Sequence, residues 1–293
     1  MGEMDGALTE GYRGRLAPTT SGLLHLGHAC TFAAAQQRAK EFGGKLVLRI
    51  EDIDSQRCKP EYAQAALSDL KACGFKWDEG PDIGGPFGPY IQSMRTELYK
   101  KALIRLIEKN AVYPSSASRK QISQASKIPE KKLFPDAEPE HIFPKALREC
   151  DEGFIAEAKK HPFCFNWRFR VEDGKSVAFQ DGAFGNIRLQ GQRDFGDFLV
   201  WRKSGEPAYE LAVCVDDASM EISEVVRGAD LIVSTVRQLL VYESLGLKHP
   251  DFFHCPLMRD KSGKKISKSS LVGSDKNPLL IRNSLSAARK LLA

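Results

Sequence analysis

The stretch 11–50, GYRGRLAPTTSGLLHLGHACTFAAAQQRAKEFGGKLVLRI, constrains the fold of this chain more than any other. GYRGRLAP reads as a strand and TTSG as a turn, followed by a helical run from about Leu24 to Phe42 and an apolar strand over Lys45–Ile50. Strand, helix and strand in that order make a βαβ unit, the way two parallel strands are joined. In an open parallel sheet, ligands gather where strands hand over to helices, so the junction after the first strand is where chemistry is expected.

The pattern continues in mixed form. Helices are predicted at about Pro60–Cys73, closed by Gly74, and at about Arg95–Asn110, where Leu98, Ala102, Leu103, Leu106 and Ile107 hold helical spacing. GPDIGGPFGPY between them reads as a loop. From Tyr113 to about Pro162 the sequence turns Ser-, Lys- and Pro-rich and reads as an insertion. FNWRFRV, SVAFQD, DFLVWR and AYELAVCVDD read as strands, the last apolar on both faces and suited to the centre of a sheet. A helix from about Thr235 to Leu245, closed by Gly246, precedes a basic loop and a last helix from about Pro278.

Composition removes whole classes. With 42% hydrophobic and 28% charged residues the chain is neither disordered nor fibrous. It has no apolar run near the ~18 residues of a bilayer span and no signal-peptide order at its start, so no membrane partner and a cytoplasmic location are expected. The net charge of +5 permits a polyanionic partner without requiring one. Seven cysteines, at 30, 58, 73, 150, 164, 214 and 255, never fall within four residues of one another, which reads as scattered reduced thiols.

Two short motifs carry chemistry. His25-Leu26-Gly27-His28 lies at the strand-to-helix junction, where free N–H groups attract phosphate, two imidazoles share a helix face, and Gly27 lets a flat base approach. Alone, such a pair is better read as an amphipathic helix with incidental histidines. Gly263–Ser270 is a loop with three lysines that can close over a phosphate chain and stabilise departing pyrophosphate. Alone, it is better read as a solvated surface or a polyanion patch.

Together and in this order the two motifs resemble the signatures of the class I aminoacyl-tRNA synthetases, at His25–His28 and at Lys265-Ile266-Ser267-Lys268-Ser269. GRLAPTTSGLLHLGHA, LRIEDIDSQR, DFLVWRKSGEPAYELAVCVDDA and VVRGADLIVSTVRQLLVYESLG are similar to the glutamate-specific branch. Only 24 residues follow Ser269, where complete glutamyl-tRNA synthetases continue into an anticodon-reading helical region. That length and RGADLIVSTVRQ resemble the truncated glutamyl-queuosine tRNA(Asp) synthetase family.

The resemblance implies an α/β Rossmann-type catalytic domain over 1–99 and 195–246, a connective insertion over 100–194, and a short C-terminal helical segment with the lysine loop over 247–293. It implies ATP and L-glutamate as substrates, Mg²⁺ on the phosphates, and tRNA(Asp) bearing queuosine as acceptor. His25, His28, Lys265 and Lys268 are the implied catalytic residues, with His25, Gly27, His28 and Lys268 on ATP. Arg15, Leu16, Ala17, Pro18, Thr19, Glu51, Tyr209 and Arg227 match amino-acid-binding positions. The chemistry of the side chains agrees: an α-ammonium needs a carboxylate such as Glu51, and two substrate carboxylates need guanidinium donors such as Arg15 and Arg227.

At one place the chain departs from the pattern. Many members of the family open a zinc site in the insertion with two cysteines after a Tyr or Tyr-Pro. Here the stretch is Val112-Tyr113-Pro114-Ser115-Ser116-Ala117-Ser118-Arg119-Lys120, and the nearby His141, Cys150, His161 and Cys164 are not paired. Serine hydroxyls are poor zinc ligands, so structural zinc is expected to be absent and Phe134, Ile142, Phe143, Leu147 and Phe154 are expected to hold the insertion by packing. Three alternatives remain at this level: a truncated glutamyl-tRNA synthetase charging a tRNA 3′ end, a non-catalytic tRNA-binding paralogue, and a small-molecule adenylyltransferase. The last does not account for RIEDID or VVRGAD.

Overall fold

The computed structural model describes residues 11–24, 26–125, 134 and 142–257, with Leu26 and Arg119 described by their backbone only. His25, His141, Lys265, Lys268 and the helix expected from Pro278 lie outside the described residues. In chain order the elements are β1 (Arg13–Leu16), α1 (Leu26–Glu41), β2 (Lys45–Leu48), α2 (Pro60–Ala72), α3 (Thr96–Glu108), β3 (Val112–Pro114), α4 (Arg119–Ala125) and α5 (Glu152–Lys160). They continue as β4 (Trp167–Phe169), β5 (Ser176–Asp181), β6 (Gly185–Gln190), β7 (Phe198–Trp201), α6 (Tyr209–Ser219), β8 (Glu224–Gly228), α7 (Ile232–Leu245) and β9 (Asp251–Cys255).

The described residues fall into two compact units: those within 11–94, 219–229 and 250–257 form the first, and those within 95–218 and 230–249 the second. These limits differ from the division expected from the motifs, since β7 and α7 group with the insertion.

The first unit is built on parallel strands. β1 and β2 pair in register from Arg13↔Lys45 to Leu16↔Leu48, with α1 as their crossover. β8 and β9 pair in parallel from Glu224↔Asp251 to Gly228↔Cys255. β8 runs beside β1, where the Ser223 N–H donates to the Arg13 carbonyl at 2.9 Å. Gly44 permits the tight return from α1, because a Cβ there would lie 2.3 Å from the Tyr12 carbonyl oxygen. Leu16, Leu48 and Leu70 are fully buried among Ala29, Phe32, Ala35, Phe75 and Val226, each such side chain contributing about 1.5–3 kcal/mol by leaving water. Ion pairs fix the start of these strands: Arg13 grips Glu79 through both Nη atoms at 2.8 and 2.9 Å, and Arg38 and Tyr12 both donate to Glu224.

The second unit holds the antiparallel sheet β3-β4-β7, the hairpin β5–β6, and helices α3, α5, α6 and α7. AYELAVCVDD, expected as a central strand, forms most of α6. Residues 210–217 of that helix are all buried, and a segment buried on every side loses the periodicity that separates a buried helix from a buried strand. Its polar members are partnered: Glu210 accepts from Ser234 and Gln238, and Asp216 from Arg95 and Tyr99. Short strands β6, β8 and β9 are additions to the elements expected from the sequence, and β9 occupies part of the stretch expected as a basic loop. α7 ends as expected, with Gly246 left-handed at φ 66°.

The insertion is held by a buried carboxylate as well as by apolar contacts. Asp197 accepts from the Tyr113 hydroxyl at 2.6 Å, from Arg148 Nε and Nη2 at 2.7 Å each, and from Val171 N and Gln192 Nε2 at 2.9 Å. Ile142 and Phe143 are buried against Gly196, where a Cβ would come within 2.9 Å of both. Phe154 meets Phe165 edge-on at 5.3 Å, and Leu147 and Phe134 are half-buried.

Candidate active site

In the first unit, the carboxyl ends of β1, β2 and β8 carry several of the expected site residues. Beyond β2 the backbone keeps its parallel course alongside the loop that follows β1: Arg49 N donates to Leu16 O at 2.9 Å, Glu51 N to Pro18 O at 3.1 Å, and Thr20 N to Glu51 O at 3.2 Å. This pairing holds the segment Leu16, Ala17, Pro18 and Thr19 directly beside Glu51. On the other side of β1, Arg15 Nη1 donates to the Val226 carbonyl at 2.7 Å, next to Arg227.

Three of the expected amino-acid-binding side chains are therefore gathered in one unit and buried: Arg15 is 5% exposed, Glu51 6% and Arg227 4%. Arg15 donates to a carbonyl and Arg227 Nε to the imidazole Nε2 of His254 at 3.2 Å, so each has a neutral acceptor among its partners. Glu51 has a cation beside it, with Arg49 Nη2 at 3.0 Å from its Oε1. Tyr209, half-buried, opens α6 in the second unit.

The expected ATP-binding residues are described in part. Gly27 and His28 stand in the first turn of α1, where the helix N-terminus favours anions. The His28 ring is half-buried and stacks on Phe32 at 6.2 Å between centroids. Thr31 Oγ1 donates to the Gly27 carbonyl at 3.0 Å and ties that turn. Of the expected catalytic residues, His25, Lys265 and Lys268 lie outside the described residues.

Two residues of this region escape a reading of the sequence. Arg49 is fully buried and pairs with Glu51; its place two residues earlier, on the same side of the strand, is the available signal. His254 sits on β9 and has no sequence signal, because its contact with Arg227 depends on strand pairing. The second acid of RIED does something else: Asp52 accepts from the N–H and hydroxyl of Ser93 at 2.8 and 2.7 Å and anchors the short helix there.

Among the described residues, no group of three or more His, Cys, Asp or Glu is arranged to hold a metal ion. Near the serine stretch, Cys150 Sγ donates to the Pro114 carbonyl at 3.3 Å. Burial pushes the Cys30 thiol up, away from thiolate. No described helix is long and apolar enough to cross a membrane.

The profile of tRNA synthetases class I (E and Q), catalytic domain, matches residues 12–278. The chain is 42% identical over 256 residues to a Glutamyl-Q tRNA(Asp) synthetase of Nitratidesulfovibrio vulgaris, covering 87% of this chain and 77% of that one. It is 42% identical over 258 residues to a protein of the same name from Symbiobacterium thermophilum, with the same coverage. A glutamate-tRNA synthetase structure from Elizabethkingia anophelis superposes with a TM-score of 0.77 at 26% identity, over 90% of this chain and 54% of that one.

Proposed function

The chain belongs to the family of class I tRNA synthetases for E and Q, catalytic domain, and on that footing we propose that it activates L-glutamate with ATP and transfers the glutamyl group to queuosine in the anticodon of tRNA(Asp). The observation that carries this reading is the burial of Arg15, Arg227 and Glu51 in one unit, with Arg15 donating to the carbonyl of Val226 next to Arg227. Guanidinium groups suit the carboxylates of a glutamate substrate, and a carboxylate suits its α-ammonium.

The reaction has two steps. A carboxylate oxygen of glutamate attacks the α-phosphorus of ATP, forming glutamyl-adenylate and expelling pyrophosphate. A hydroxyl of queuosine then attacks the activated carbonyl, forming the ester and releasing AMP. ATP enters as its magnesium complex, the ion riding on the phosphates as part of the substrate. His25, His28, Lys265 and Lys268 stabilise the negative charge that moves onto pyrophosphate, and Gly27 gives the base room. Arg15, Arg227 and Tyr209 with the segment 16–19 orient glutamate, and Glu51 holds its ammonium. tRNA and ATP are both at hand in the cytoplasm, where we place the reaction.

The test is transfer of radiolabelled glutamate to tRNA(Asp) with and without queuosine, followed by nuclease digestion. Label in the anticodon fragment, dependent on queuosine, is the expected result. Label at the 3′ end would assign the chain to tRNA charging instead.

A further inference from the structure

We infer that Arg168, together with Arg170 two residues further on, forms a binding site for a phosphate group on the sheet β3-β4-β7 of the second unit, made of residues other than those assigned above to glutamate and ATP. The phosphate is that of an RNA backbone or a free ion, since both present the same oxygens to a guanidinium.

Arg168 lies in β4 opposite Tyr113 of β3, and directly opposed residues of an antiparallel pair share a face. Arg170 reaches the same tyrosine, with its Cζ 4.7 Å from the centroid of the ring. Arg148 arrives there too, bound through two nitrogens to Asp197, which also accepts from the Tyr113 hydroxyl. Three guanidinium groups thus gather at one tyrosine.

Their pairing differs, and that difference points to a ligand. Arginines that serve structure in this unit are held by carboxylates, Arg95 by Asp216 at 2.6 Å and Arg148 by Asp197 at 2.7 Å. Arg168 is half-buried, yet its Nε is shut off from water and has no hydrogen-bond acceptor. Among the described residues, neither Arg168 nor the exposed Arg170 has an ion-pair partner. Phe143 covers one face of the Arg168 guanidinium, 4.1 Å from Cζ to ring centroid, which supports the cation but offers its N–H edges no acceptor. Burial, the largest influence, holds the Arg168 pKa below the ordinary arginine range. A charge drawn from water without a counter-ion costs free energy, and an arriving anion offsets that cost. Two cations at one place suit the several charged oxygens of phosphate, and a planar fork backed by a ring gives them a fixed geometry to meet.

Arg168→Met, Arg168→Lys and Arg170→Met, made in the full chain, test the site. Binding of a tRNA(Asp) transcript is followed as salt rises, and melting temperature is measured with and without inorganic phosphate. Arg168→Met should weaken tRNA binding about ten-fold and reduce the slope of log affinity against log salt by about one, the mark of a lost phosphate contact. Arg170→Met should act in the same direction. Arg168→Lys keeps the charge and loses the fork, so it should keep the slope and lose only part of the affinity. If the tRNA slope stays at wild type while inorganic phosphate raises the melting temperature of wild type and not of Arg168→Met, the site takes the free ion. Without ligand, Arg168→Met should melt no lower than wild type, because it removes a charge that no carboxylate balances. A lower melting temperature would assign the side chain to structure and overturn the proposal. Variants that leave both the salt slope and the phosphate response at wild type would overturn it as well.

Discussion

Arg49 and Glu51, two residues apart at the end of β2, form a buried ion pair with 3.0 Å between Nη2 and Oε1. Their side chains are 0% and 7% exposed, so water screens neither charge. Removing the cation from such a pair strands the anion, which typically costs about 3 to 5 kcal/mol. Arg49→Met should therefore lower the unfolding free energy by about that amount in urea titration. A loss under about 1 kcal/mol would show that Glu51 is compensated by other groups.

The alkaline limb of the stability profile has an assignable origin. Burial first, and then the carboxylates Glu224 and Asp197, push the phenols of Tyr12 and Tyr113 well above their ordinary range. In the unfolded chain a phenol ionises near pH ~10. Below that pH both states hold the proton and the contribution is constant; above it only the unfolded state loses the proton, so stability falls as pH rises toward the folded pKa values. Tyr113→Phe should make the fall above pH ~10 shallower in chemical denaturation. An unaltered slope would contradict the assignment.

Asp197 serves as a tie in the insertion, joining Tyr113, Arg148, Val171 and Gln192. Asp197→Ala removes acceptors from buried donors, including a guanidinium, and should cost about 3 to 5 kcal/mol. A chelator, in contrast, should leave the melting temperature of the wild type unchanged. Stoichiometric zinc in protein purified from metal-free buffer, lost together with thermal stability on chelation, would show the opposite.

Substrate discrimination should follow the charge of the pocket. Glutamine would leave a buried guanidinium facing a neutral amide, so it should support exchange at least about a hundred-fold less well than glutamate, since unpaired polar groups in a site reject analogues strongly. Comparable kcat/KM for the two amino acids would rule out Arg15 and Arg227 as carboxylate donors.

Lys268 should act on the activation step. Lys268→Ala is expected to lower glutamate-dependent ATP–pyrophosphate exchange by about 2.7 to 4 kcal/mol of transition-state stabilisation, with no change in the far-UV circular dichroism. Wild-type exchange in this variant would remove the residue from the mechanism.

Local sequence dictates the βαβ start, because apolar strands, a Gly-Gly return and a helical run of small residues each have one good local solution. It also dictates the ends of α2 and α7, whereas the expectation of chemistry at Arg15–Thr19 and Glu51 comes from the family resemblance. That 209–219 is a helix emerges only in the folded chain, because burial on every side erases the period that local reading depends on. The same holds for Arg15 beside the carbonyl of Val226, and for Arg227 meeting His254 across 27 residues. Such contacts arise from strand order and register, which are set by how the whole sheet buries its faces and by no neighbouring residue.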